Sequence, residues 1–200
     1  MRDMPLSRRK FLGAGAVGTL GLLLTPETVL GNDEEAELLR WDLVAITQGV
    51  VLSGGQDMAH DATSNDTVTL TGSGQAVPTR GTATGGGTFV HKHADGTEVA
   101  HGVYHVTGFK SFRDAGGSLV GTGLTDGIGT LRQTTGGILS LGVELLPSGG
   151  GSHDAVLGVN CNLPGSEFTV EEGVTLSVGP FAFMQAGGAT LFHVLLGANP

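Results

Sequence analysis

The chain has 200 residues, of which 39% are apolar and 36 are glycine, with a formal net charge of −9 and a single cysteine, Cys161. One cysteine rules out an intramolecular disulfide framework, and the lack of a Gly-X-Y period rules out collagen. The acidic balance offers no basic face for neutralising phosphates, so nucleic acid and anionic membrane surfaces are not expected partners.

Ser7-Arg8-Arg9-Lys10-Phe11-Leu12 opens an apolar run that reaches Leu24 and is followed by Pro26. Its 14 residues would span about 21 Å as a helix, short of a hydrocarbon core of ~30 Å. A basic front, a short apolar middle and a helix breaker are the parts of a cleaved export signal. Ser7, Arg8, Arg9, Phe11 and Leu12 resemble the twin-arginine signal pattern S-R-R-x-F-L. The resemblance implies export through the twin-arginine (Tat) machinery as a folded protein, to the periplasm, cell envelope or exterior. Cleavage is expected near Gly31, leaving a protein that is not integral to the membrane. Gly13 to Gly18 matches G-x-G-x-x-G, but no strand or βαβ unit surrounds it, so it carries no dinucleotide reading.

Residues 32–200 hold 6 Lys and Arg against 17 Asp and Glu, a net charge near −11. They are enough for one domain with its own core. Residues 32–40 read as an acidic linker and 41–200 as a single all-β domain. Strands are expected over 41–52, 67–77, 81–93, 97–113, 118–122, 128–134, 137–146, 155–163, 174–184 and 190–196, with glycine clusters between them. Regular short strands without helical periodicity predict one antiparallel barrel or jelly-roll-like sandwich of about 8–10 strands. Cys161 alternates with polar neighbours and reads as a buried, unreactive thiol. The segment 54–66, with Asp57, His60, Asp61, Asn65 and Asp66, reads as a solvated loop of a kind that can bind calcium. Asn65-Asp66-Thr67 is a glycosylation sequon.

The strongest local signal is a hairpin turning at Ala94-Asp95-Gly96. It carries His91, His93, His101 and His105, and its register decides which of them meet. A two-residue turn places His93 opposite Glu98 and His91 opposite Ala100. Phe89, His91, His93, Glu98 and Tyr104 then share a face, with His101 and His105 on the other. A three-residue loop pairs His93 with Thr97 and Lys92 with Glu98, and puts all four histidines together. Cross-strand neighbours lie about 4.5–5.5 Å apart at Cβ, near enough to share a metal.

Gly85, His91, His93 and Glu98, at the spacing G-x5-H-x-H-x4-E, resemble the first metal motif of the cupins. That resemblance implies a divalent metal held by His91, His93, Glu98 and a later histidine, for which His153 is the candidate. His101 and His105 enter the set if the register differs. The departures are His105, which stands where cupins carry glycine, and the segment Gly142 to His153, which misses the second motif by one residue in each gap. More broadly, Thr67–Phe112 and Cys161–Phe183 resemble secreted bacterial β-proteins with a TLTGSG…GGGTF…GVYHVTGF layout, a resemblance that brings no activity.

No G-x-S-x-G elbow, C-x-x-C, H-E-x-x-H or phosphate-binding loop occurs, and Ser152-His153-Asp154 is adjacency without triad geometry. Two functions follow as expectations. The first is a non-enzymatic exported domain that binds a small molecule or an envelope component. The second is a cupin-like metal protein or enzyme built on the histidine hairpin.

Overall fold

A computed structural model describes residues 37–169 and 171–195. The twin-arginine segment, the expected cut near Gly31 and most of the acidic linker lie outside the described residues. The linker's last residues lie inside them, and Leu38 already begins the first strand.

Thirteen strands are found among the described residues, and no α-helix. They are β1 (Leu38–Thr47), β2 (Val50–Ser53), β3 (Asp57–Asp61), β4 (Thr67–Leu70), β5 (Ser73–Val77), β6 (Thr82–Lys92), β7 (Glu98–Gly116), β8 (Thr125–Asp126), β9 (Thr134–Pro147), β10 (His153–Cys161), β11 (Gly173–Val178), β12 (Phe181–Gly187) and β13 (Thr190–Leu195). The pairing is antiparallel except for the short parallel contact of β2 with β8. It closes into a barrel. Ten strands trace the circuit β9-β10-β11-β12-β3-β4-β6-β5-β1-β13 and back to β9, and β7 bridges β6 and β9. The bridge divides the barrel into a wide end ringed by eight strands and a narrow end ringed by six. The sandwich alternative is therefore excluded.

Alternation sets what faces inward. In β9, Leu139, Leu141, Val143 and Leu145 are buried. In β6 the inward series is Ala83, Gly85, Gly87, Phe89 and His91, small toward the narrow end and large toward the wide end. Gly85 is in the left-handed region at φ 139°, and a Cβ there would lie 2.8 Å from Trp41 Cζ2. The nearest atom would be the Ser73 carbonyl oxygen at 2.5 Å, so the glycine that began the cupin-like motif is required by the close approach of β5 together with Trp41. Tyr104, opposite Gly87, is buried and donates its hydroxyl to the Thr71 carbonyl at 3.0 Å.

Several expected strands change. Residues 41–52 form a hairpin, because Gln48 and Gly49 both adopt positive φ (51° and 78°). Residues 174–184 turn at Gly179-Pro180 for the same reason, with Gly179 at φ 54°. Residues 118–122 and much of 128–134 belong to a connection pinned by hydrogen bonds between side chains and the backbone instead of a ladder. The segment read as a solvated loop contains β3, with Asp57, Asp61 and Asp66 all buried. Cys161 is buried as expected, and burial pushes its thiol well above the usual range.

Candidate functional site

The wide end of the barrel opens into a cavity of about 640 Å³. Its walls are apolar: Val68 from β4, Phe89 from β6, Leu145 from β9, Leu176 from β11, and Phe181 and Phe183 from β12. Polar groups lie at two places on the mouth. Asp66, His91 and His93 form one set, and Ser152, His153 and Asp154 the other.

The hairpin that carries His91 and His93 uses both registers considered from sequence. Next to the turn it pairs as a three-residue loop, with the His93 amide donating to the Thr97 carbonyl at 2.8 Å and Lys92 opposite Glu98. Asp95 caps the turn by accepting the Thr97 amide at 2.8 Å. A bulge at Val99 then absorbs one residue, and beyond it His91 lies opposite Ala100. A bulge resets the inward and outward parity of a strand. Glu98 therefore falls on the outer face with Lys92, while Tyr104 points inward. His101 and His105 lie opposite Val90 and Gly86 and are exposed. His101 Nδ1 is 2.6 Å from Glu98 Oε1 on that outer face.

The expected His91, His93 and Glu98 set is thus divided between the two faces of the sheet. His91, His93 and His153 reach the same cavity, whereas Glu98, His101 and His105 do not. Asp66 stands where the acidic partner was expected. His91 Nε2 lies 3.1 Å and His93 Nδ1 3.2 Å from its Oδ2. The His91 ring also packs edge-on against Phe183, with centroids 5.4 Å apart. Among the described residues, no three His, Cys, Asp or Glu side chains are placed to hold one metal ion. The donors implied by the cupin resemblance do not fit that group here.

Asp66 is presented by a built turn. Asp61 accepts the amides of Thr63 and Ser64, both at 2.9 Å, and that of Ala182 at 3.0 Å. The amides of Ser64 and Ala182, outweighing the effect of burial, and then that of Thr63 hold its carboxyl below the usual range. These donors occupy Asp61, so the acidic segment is a structural brace. Sequence reasoning missed Asp66 as a site residue because the segment read as solvated. The signal was its parity: Asp66 is in phase with Val68 and Leu70, both of which face inward.

No known protein family matches the chain, and neither the curated proteins nor the solved structures give a match.

Proposed function

We propose that this is an exported, non-enzymatic barrel that binds one small, mainly apolar molecule in its wide mouth. The observation that carries the reading is the mouth itself, a cavity of about 640 Å³ with apolar walls and polar groups confined to two places on its rim. Such concave sites with a few placed polar groups are how proteins take small ligands. A ligand losing ~200 Å² of apolar surface gains ~5 kcal/mol gross at ~25 cal/mol per Å². The cost of association offsets part of this, so a ligand must cover roughly twice that apolar area to reach micromolar affinity.

Two features support export and solubility. Arg8-Arg9 and the apolar run after them match a signal that accepts folded cargo, and a fold with one buried thiol and no disulfide suits that route. The outward positions of β6 include Thr82, Thr84, Thr88 and Lys92, polar residues that suit water rather than lipid.

The test is titration of the purified protein with N-phenyl-1-naphthylamine, a neutral dye that brightens in apolar sites. Saturable binding at one dye per chain is expected, weakened about five-fold or more by Phe181→Ala. Fluorescence that rises linearly without saturation would refute the reading. For export, the Arg8→Lys/Arg9→Lys double variant is expected to retain the protein in the cytoplasm, as read by cell fractionation.

A further inference from the structure

We infer that the molecule taken by this mouth presents a hydrogen-bond donor, an alcohol or phenol hydroxyl, to His91 and His93; the inference rests on the binding reading above. The argument begins at Asp66, whose side chain is only 8% exposed. A carboxylate has acceptors and no donors. Both imidazole nitrogens that face it, His91 Nε2 at 3.1 Å and His93 Nδ1 at 3.2 Å, must therefore carry their protons toward it. A neutral imidazole has one donor nitrogen and one acceptor. Asp66 thus fixes the tautomer of two histidines at once and leaves His91 Nδ1 and His93 Nε2 as lone pairs.

Neither of these nitrogens has a hydrogen-bond partner among the described residues, and both rings line the cavity. Two acceptors therefore stand on rings that line an apolar cavity, His91 largely covered at 18% exposed and His93 at its rim at 57%. A ligand ending in an ether or ketone supplies only more acceptors and leaves the pair unanswered. A carboxylate meets lone pairs backed by the charge of Asp66. An ammonium would donate, but moving a full charge from water against Phe181 and Phe183 carries a large desolvation cost. A hydroxyl donates while remaining neutral, and it leaves an apolar body for the walls.

The experiment is displacement of N-phenyl-1-naphthylamine at pH 8 by four probes that share one chain: 1-octanol, 1-methoxyoctane, octanoate and octylamine. The alcohol is expected to displace the dye at about one-tenth the concentration that the ether needs. That ratio should fall below three-fold in the His91→Phe/His93→Phe variant. It should stay near ten-fold in His101→Gln, which alters only the outer face. Equal displacement by alcohol and ether overturns the inference and leaves the binding reading standing, as does octanoate or octylamine displacing best. Failure of the dye and of every probe to bind overturns both.

Discussion

The two ends of the barrel treat the same pair, a histidine on an aspartate, in opposite ways. At the narrow end His193 Nε2 lies 2.7 Å from Asp126 Oδ2, with side chains 1% and 2% exposed. The other Asp126 oxygen accepts the amides of Ile128 and Gly129. At the wide end His91 is 18% exposed on Asp66 and its ring lines a cavity. The narrow end is also filled. Trp41 closes on Gly74 and Gly85, and Phe192 meets Phe112 edge-on at 5.6 Å. The narrow-end pair is sealed, with both oxygens of Asp126 occupied and His193 Nδ1 buried without a partner, whereas the wide-end pair lines a cavity and is available to something else. Stability should therefore be concentrated at one end and binding at the other.

The largest expected effect tests that division through aromatic truncation. Trp41→Ala removes a fully buried side chain and should cost about 3–5 kcal/mol in urea denaturation. Phe181→Ala at the mouth removes a side chain that is 38% exposed and should cost about 1 kcal/mol or less, with its effect falling on dye binding instead. Equal costs would break the comparison.

Next comes the pair itself. Asp126→Ala strands His193 and two amides under cover, at a cost of about 2–4 kcal/mol. Burial opposes ionisation of Asp126, but the bonds from His193 and from the amides of Ile128 and Gly129 outweigh it and hold its carboxyl below the usual range. A depressed folded-state value gives stability that is present at neutral pH and lost as the solution falls below about pH 4. The difference between the native protein and Asp126→Ala should shrink on acidification.

A third carboxylate reverses that sign. Burial, with the charge of Glu172 adding to it and the amide of Met58 opposing it, pushes Asp57 up to about 6. Its Oδ1 accepts the Met58 amide at 2.7 Å, while Oδ2 is buried without a partner. A raised folded-state value means that the contribution is full below about pH 4 and is lost as pH rises through about 6. Asp57→Asn should therefore stabilise the protein by about 1–3 kcal/mol at pH 7 and change little at pH 4. A loss of stability at pH 7 would show that the charged form is wanted there.

These residues also mark what sequence could and could not show. The all-β class followed from alternation, and β6, β7, β9 and β10 fell near their expected places because alternation runs along much of each and turn residues bound them. The Ala94-Asp95-Gly96 turn was legible because Asp95 and Gly96 carry its geometry locally. The bulge at Val99 was not legible: either continuous register satisfied the local pattern, and only pairing along the whole hairpin selects a mixture of the two. Asp66 was hidden for a related reason, since its partner His91 is 25 positions away and reaches it only once β4 lies beside β6. Gly85 carried a family-like spacing for a reason that sequence alone could not supply, the close approach of the β5 backbone and of Trp41 from β1.

The smallest expected effect bears on that spacing. A site made by His91, His93 and Glu98 would bind zinc, and a ligand at 100 times its dissociation constant stabilises a fold by about 2.7 kcal/mol. In this barrel Glu98 is held on the outer face by His101 at 2.6 Å, and the nitrogens of His91 and His93 that face an acid already serve Asp66. Bringing Glu98 to an ion held by the remaining nitrogens of His91 and His93 would require the Val99 bulge to be removed. Zinc at 100 µM, or EDTA, should consequently leave the urea midpoint unchanged. A rise that disappears in His91→Ala would show that the mouth reorganises around a metal, and the contrast between a closed end and an open one would then become a contrast between two kinds of closure.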